Sequence, residues 1–171
     1  MKSQDTVAVS DVREYQFDES VGYLLSRVKS TMLNMVTQRT MAEFGITSTQ
    51  GRILFMVASG RCELAAELAR ECGVDASSVT RLADRLEKRG LLTRVRSSED
   101  RREVRLATTP EGQSIATRMP AIFSGVLESL LSGFTAEEVG FLKSMLRRVL
   151  VNSGELTGAD RDMATSFGHI P

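Results

Sequence analysis

The sequence is short of the residues on which most enzyme chemistry and most secreted scaffolds rely. Its 171 residues include one histidine, His169, two cysteines and no tryptophan. A lone histidine beside the end of the chain removes most histidine-based acid–base catalysis and metal chemistry. Two cysteines are too few for a disulfide framework or a four-ligand zinc site, and a reducing cytosol is the expected compartment. No apolar run reaches the roughly 18–20 residues of a membrane span, and the first residues, Met1 to Asp11, carry no signal-peptide core. Three prolines and 5% aromatics favour helix over a β-rich fold. No Gly-rich phosphate loop, nucleophile elbow or metal-ligand cluster is present, so we expect no enzyme, no cofactor and no metal.

One sign of charge is not in excess either. Lys+Arg and Asp+Glu are both 22, which speaks against a uniformly basic nucleic-acid binder, but the neutrality conceals separation along the chain. Residues 1–20 carry a net charge of −3 and residues 128–171 carry −2, whereas residues 81–105 carry +4. A charge run alone is an ordinary solvated face; its meaning depends on the elements that carry it.

The length fits one domain, since domains typically take ~100–200 residues. Residues 17–44 predict a long helix with Leu24, Leu25, Val28, Met32, Leu33, Met35 and Val36 on a broad apolar arc. That arc is wide enough to meet both its own domain and a partner chain. Gly45 stops it, and Thr47 to Gln50 has capping-box spacing for a second helix that ends at Gly60. A short helix over 63–72 follows, then the turn Gly73-Val74, then a fourth helix capped by Asp75 from Ala76 to about Arg89. After Gly90 the period becomes two: Leu92–Arg96 and Glu103–Ala107 predict strands joined by a polar tip. Thr109-Pro110 opens a helix toward Leu131 that Pro120 should kink or split, and Thr135 to Glu138 caps a last helix. Residues 1–16 and 153–171 read as an arm and a tail.

Helices three and four have the spacing of a helix-turn-helix. Ala69 permits close crossing, Gly73 accepts the left-handed turn, and Val79 and Leu82 plug the second helix onto the first. Ser77, Ser78, Thr80, Arg81, Arg85 and Lys88 then lie outward, short hydroxyls and cations suited to base edges and phosphates. The following hairpin carries Arg94, Arg96, Arg101, Arg102 and Arg105, and Arg94 joins the residues of the fourth helix as an expected DNA contact. The fold expected is therefore mainly α with a small β-hairpin wing: a winged helix-turn-helix over 46–109 inside a domain of 17–152, flanked by helical dimerisation segments at 17–45 and 110–152. A winged-helix protein–protein module is the competing class; it predicts a neutral face on the fourth helix.

Gln50 after a capped turn, Glu63-Leu64-Ala65, the run from Val79 to Leu92 and Asp100-Arg101-Arg102 resemble the MarR family of bacterial regulators. The resemblance covers about residues 20–150 and is densest over 79–112. It implies a cytoplasmic homodimeric repressor straddling a palindromic operator in double-stranded DNA, with half-sites about 10 bp apart. It assigns base reading to Ser77, Ser78, Thr80 and Arg81. It also implies that Asp100 pairs internally and presents Arg102 to the minor groove. The family further implies a small-molecule effector, often phenolic or an aromatic carboxylate, held between the dimerisation and DNA-binding parts.

Two features bear on that effector. The family often has a bulky aromatic where this chain has Gly51; either room is left there, or Phe55 or a methionine fills it. Arg27, Thr31, Asn34 and Gln38 form a polar line beside the apolar arc, which either orients an anionic aromatic through Arg27 or is a solvated strip. The expected ligand set is Arg27, Thr31, Gly51 and Phe55. A thiol-based oxidation sensor using Cys62 or Cys72 is the alternative. Cys72 reads as a buried small hydrophobe, and Cys62 lies at a helix start where Glu63 opposes thiolate formation. The last departure from the family pattern, Thr108-Thr109 in place of Leu-Thr, is expected to loosen the end of the second strand.

Overall fold

Local signals in the sequence set nearly every helix boundary. The computed structural model describes residues 16–96 and 104–154. A 3-10 turn at Phe17–Glu19 leads into α1 (Val21–Phe44), followed by α2 (Ser48–Ala58), α3 (Ala65–Cys72) and α4 (Ala76–Lys88). Strands β1 (Leu92–Arg96) and β2 (Val104–Thr108), then α5 (Pro110–Leu130) and α6 (Ala136–Asn152), complete the order. The Ser20 hydroxyl accepts from the Tyr23 amide to start α1, four residues later than expected because Phe17–Glu19 forms the tighter turn. Gly45, at φ 65°, ends it in the left-handed conformation that glycine adopts without a Cβ penalty. Thr47 and Gln50 form the reciprocal capping box of α2, and Thr135 and Glu138 do the same for α6. At the start of α3 the Glu67 carboxylate accepts from the Glu63 and Leu64 amides.

Two compact units are present, Met1–Leu127 and Glu128–Pro171. The core of the first is built from Ile46, Ile53, Leu54, Leu68, Val79, Leu86, Leu91 and Met119, each at most 1% exposed. β1 and β2 pair antiparallel, with Leu92 opposite Thr108 and Arg96 opposite Val104. The strand end is not loosened by Thr108-Thr109. Thr108 completes the ladder, and the Thr109 hydroxyl both donates to the Gly90 carbonyl and accepts from the Gly112 amide, capping α5.

Pro120 does not split α5, which runs unbroken from Pro110 to Leu130. Proline removes one backbone donor, but Pro120 is exposed while Ile115, Met119, Ile122 and Val126 stay buried around it. Burial of that stripe holds the helical register across the missing bond.

The beginning of α5 comes unusually close to the chain entering β1. A Cβ added to Gly112 would stand 1.9 Å from the Leu91 carbonyl oxygen, a backbone atom that cannot swing aside. Gly112→Ala is therefore expected to cost about 2 kcal/mol or more through forced backbone displacement. A methyl added to Gly140, in α6, would have no neighbouring atom within 4 Å among the described residues, so Gly140→Ala should gain up to about 1 kcal/mol from helix propensity. Denaturant midpoints of the two variants check this pair of opposite signs; equal effects would contradict it.

Candidate nucleic-acid interface

The exposed face of α4 is organised from its first turn. Gly73, at φ 64°, closes α3, and the chain re-enters a helix at Ala76 after two intervening residues. Asp75 caps that helix: one carboxylate oxygen accepts from the Ser78 amide at 2.8 Å and the Ser77 hydroxyl at 2.5 Å, the other from the Ser78 hydroxyl at 2.6 Å. Arg81 donates from Nη2 to the Ser77 hydroxyl at 3.0 Å, and the Thr80 hydroxyl donates to the Ala76 carbonyl. Val79, Ala83 and Leu86 are buried on the opposite side, which leaves Ser77, Thr80, Arg81, Arg85 and Lys88 exposed and Ser78 half-buried at the edge. The Ser77, Ser78 and Thr80 hydroxyls donate within the turn and offer lone pairs outward, while the exposed Arg81, Arg85 and Lys88 carry donors suited to phosphate oxygens and base edges.

The cations expected on the hairpin divide into two groups. Arg94 bridges back to α4, donating to Asp84 at 2.6 Å and to Glu87. Arg105 pairs with Glu63 at 3.2 Å, and the adjacent Leu106 amide donates to the Glu63 carbonyl at 2.8 Å, joining β2 to the chain that enters α3. Arg89, at the end of α4, donates to the carbonyls of Phe44 and Gly45 and so caps the C-terminus of α1. Arg96 is exposed on β1. Asp100, Arg101 and Arg102, the expected wing tip, lie outside the described residues.

A separate apolar cavity of about 270 Å³ lies within the first unit, lined by Met32 and Val36 of α1, Arg52 and Phe55 of α2, and Phe123 and Leu127 of α5. Phe55 and Phe123 meet edge to face, centroids 6.1 Å apart. Of the four residues expected around an effector, Phe55 lines this cavity. Arg27 and Thr31 are exposed on α1 and do not. Gly51 leaves no room: a Cβ there would stand 2.5 Å from Cε of Met119, whose thioether end fills the space. Sequence reading missed Arg52 at this cavity, whereas Met119 is the methionine that one of its two readings of Gly51 called for.

Cys72 is less buried than its helical face suggests. Cys62 is buried and Cys72 half-buried. Burial pushes both thiols above their ordinary range; Glu71 and Glu67 add to the rise at Cys62, while Arg52 partly opposes it at Cys72. Neither environment favours the reactive thiolate.

Hydrogen bonds from Ser77 and Ser78 hold the Asp75 carboxyl well below the usual carboxylate range. A carboxylate depressed on folding contributes stability that is complete above its unfolded value of about 3.9 and is lost as pH falls through its folded value. The melting-temperature gap between wild type and Asp75→Ala should thus be constant from about pH 7 to 5 and shrink only below about pH 4. A gap already closed at pH 5 would contradict the assignment.

Comparison with known proteins agrees with this geometry. A family model for the MarR family matches residues 46–104, the span from the loop before α2 to the start of β2. The multiple antibiotic resistance protein MarR of Salmonella typhimurium is 29% identical over 129 residues, covering 75% of this chain and 87% of that protein. A MarR variant of E. coli in complex with operator DNA superposes with a TM-score of 0.70 at 26% identity, covering 80% of this chain and 99% of that one. The Bordetella bronchiseptica regulator BpsR shares the fold, with a TM-score of 0.67 at 24% identity and coverage of 79% and 96%. In its helix-turn-helix and its hairpin, as in these relatives, the chain is similar to the MarR family of winged-helix transcriptional regulators.

Proposed function

We propose that this chain is a dimeric repressor that reads double-stranded DNA with α4 and its hairpin and is released by a small anionic aromatic compound. The observation that carries the DNA reading is the α4 face, where Ser77, Thr80, Arg81, Arg85 and Lys88 are exposed opposite a fully buried Val79. Its hydroxyl-rich N-terminal turn is suited to a major groove, with Arg81 prepositioned by Ser77. A relative of known structure is bound to operator DNA. In this reading Asp100 and Arg102 serve the minor groove from the wing tip. Residues 46–109 form the DNA-binding part, and 17–45 and 110–152 form the dimerisation part. Large apolar side chains left exposed on α1 (Leu24, Leu25, Val28) and on α6 (Phe141, Met145, Val149) support a second copy as their cover.

The effector site is the cavity between α1, α2 and α5. Its volume of about 270 Å³ is at the small end for ligand pockets, fitting a single substituted ring between Phe55 and Phe123. Arg52 supplies the cation for a carboxylate, the role that the sequence pattern assigns to Arg27. The DNA binding of BpsR, which shares the fold, is regulated by 6-hydroxynicotinic acid, a molecule of that size and charge.

Two outcomes test this. In binding selection from a random duplex pool, wild type should enrich a palindrome, and Arg81→Ala should lose about 1–3 kcal/mol of affinity with relaxed base choice; undiminished binding by the variant would contradict the assignment. In a thermal-shift screen with single-ring aromatic acids, at least one should stabilise wild type and release its DNA. Arg52→Ala should lose that response, whereas a full response in Arg52→Ala would remove Arg52 from the site.

A further inference from the structure

We propose that Arg94 is a positioning residue: it masks two carboxylates on the DNA-facing side of α4 and fixes the root of the hairpin, rather than touching DNA itself. This rests on the DNA-binding reading of α4. Asp84 follows Arg81 by three residues and precedes Lys88 by four, so helical geometry puts all three on one face. Thr80, Asp84 and Glu87 form a stripe along that face toward β1, which packs on α4. Asp84 and Glu87 would thus lie among the groups that meet phosphates. Within a Debye length, about 8 Å at physiological salt, two uncompensated carboxylates would repel the backbone they approach.

Arg94 resolves that conflict. Its two terminal nitrogens go to different carboxylates, Nη2 to Asp84 and Nη1 to Glu87. A single planar guanidinium thus spans one turn of α4 and holds strand β1 to it, a fork that lysine cannot reproduce. The three side chains remain 36–46% exposed, and ion pairs that exposed contribute little to stability. The consequence of the clamp is therefore expected in DNA affinity rather than in melting temperature. Arg94 also stands opposite Leu106 in the hairpin register, and Leu106 is buried and tied to Glu63. The clamped strand pair is in this way anchored on both edges, at α4 and at the entry to α3.

The test is a cycle of four proteins: wild type, Arg94→Ala, the pair Asp84→Asn with Glu87→Gln, and all three changes together. Each is titrated over a range of salt against a duplex that wild type has selected from a random pool. Thermal melts of all four should agree within a few degrees. Arg94→Ala should weaken binding about tenfold when the carboxylates are present, and less than about threefold when they are neutralised, because the loss comes from unmasked charge. Arg94→Lys, which keeps the charge but bridges one carboxylate at a time, should fall between, and it replaces the alanine variant should that one fail to fold. An equal loss in both backgrounds, with a salt slope lowered by about one ion, identifies a direct phosphate contact and overturns the proposal. No loss in Arg94→Ala overturns it too. A wild-type protein that selects no duplex overturns the DNA-binding reading beneath it.

Discussion

Burial of Val79, Ala83 and Leu86 along one side of α4 decides which of its residues face outward, and the rest of the molecule serves to hold that orientation. Val79 and Leu86 are wholly buried and Ala83 nearly so, so rotation of the helix by even one residue would put a charged side chain into the core. The left-handed turn at Gly73 sets how α4 leaves α3, and Asp75 fixes where its first turn begins. From the far end, Arg89 fastens α4 to the carbonyl end of α1. Backbone, core and caps thereby agree on one exposed face, the consistency expected of a surface that must present donors in a set geometry.

Electrostatics refine what that face is. The net +4 of residues 81–105 overstates the charge available to a ligand, because Arg89, Arg94 and Arg105 are engaged with carbonyls or carboxylates of the same chain. Arg81, Arg85, Lys88 and Arg96 remain exposed. A neutral chain with a small, oriented cationic set has weak non-specific attraction for a polyanion and gains affinity mainly when docked in register. The arrangement favours discrimination over general adhesion.

Much of this is legible in the sequence. Capping residues, glycine stops and the change of period after Gly90 locate the helices and both strands to within a few residues, since these signals act locally. What the sequence does not disclose depends on contacts between distant segments. Pro120 reads as an interruption of α5, but burial of Met119 and Ile122 on either side preserves the helix. The pairing of Arg94 with Asp84 and Glu87 joins a strand to a helix and carries no local signal. At Gly51 the sequence leaves two readings open, and only the tertiary contact with Met119 decides for filling by a methionine. Cys72 reads as buried from its helical face, yet it is half-buried, while Cys62 is the buried thiol. The cavity lining depends on such contacts too: Phe55 lines it, but the cations at its wall are Arg52 and Arg61, not Arg27 of α1.

The central claim, that two copies of the α4 face engage one side of a DNA duplex, is tested most directly by hydroxyl-radical footprinting on a duplex selected by the protein. Two protected patches centred about 10 bp apart on the same face of the helix are expected, as two recognition helices in successive major grooves require. Protection confined to one patch, or spread evenly along the duplex, would contradict it.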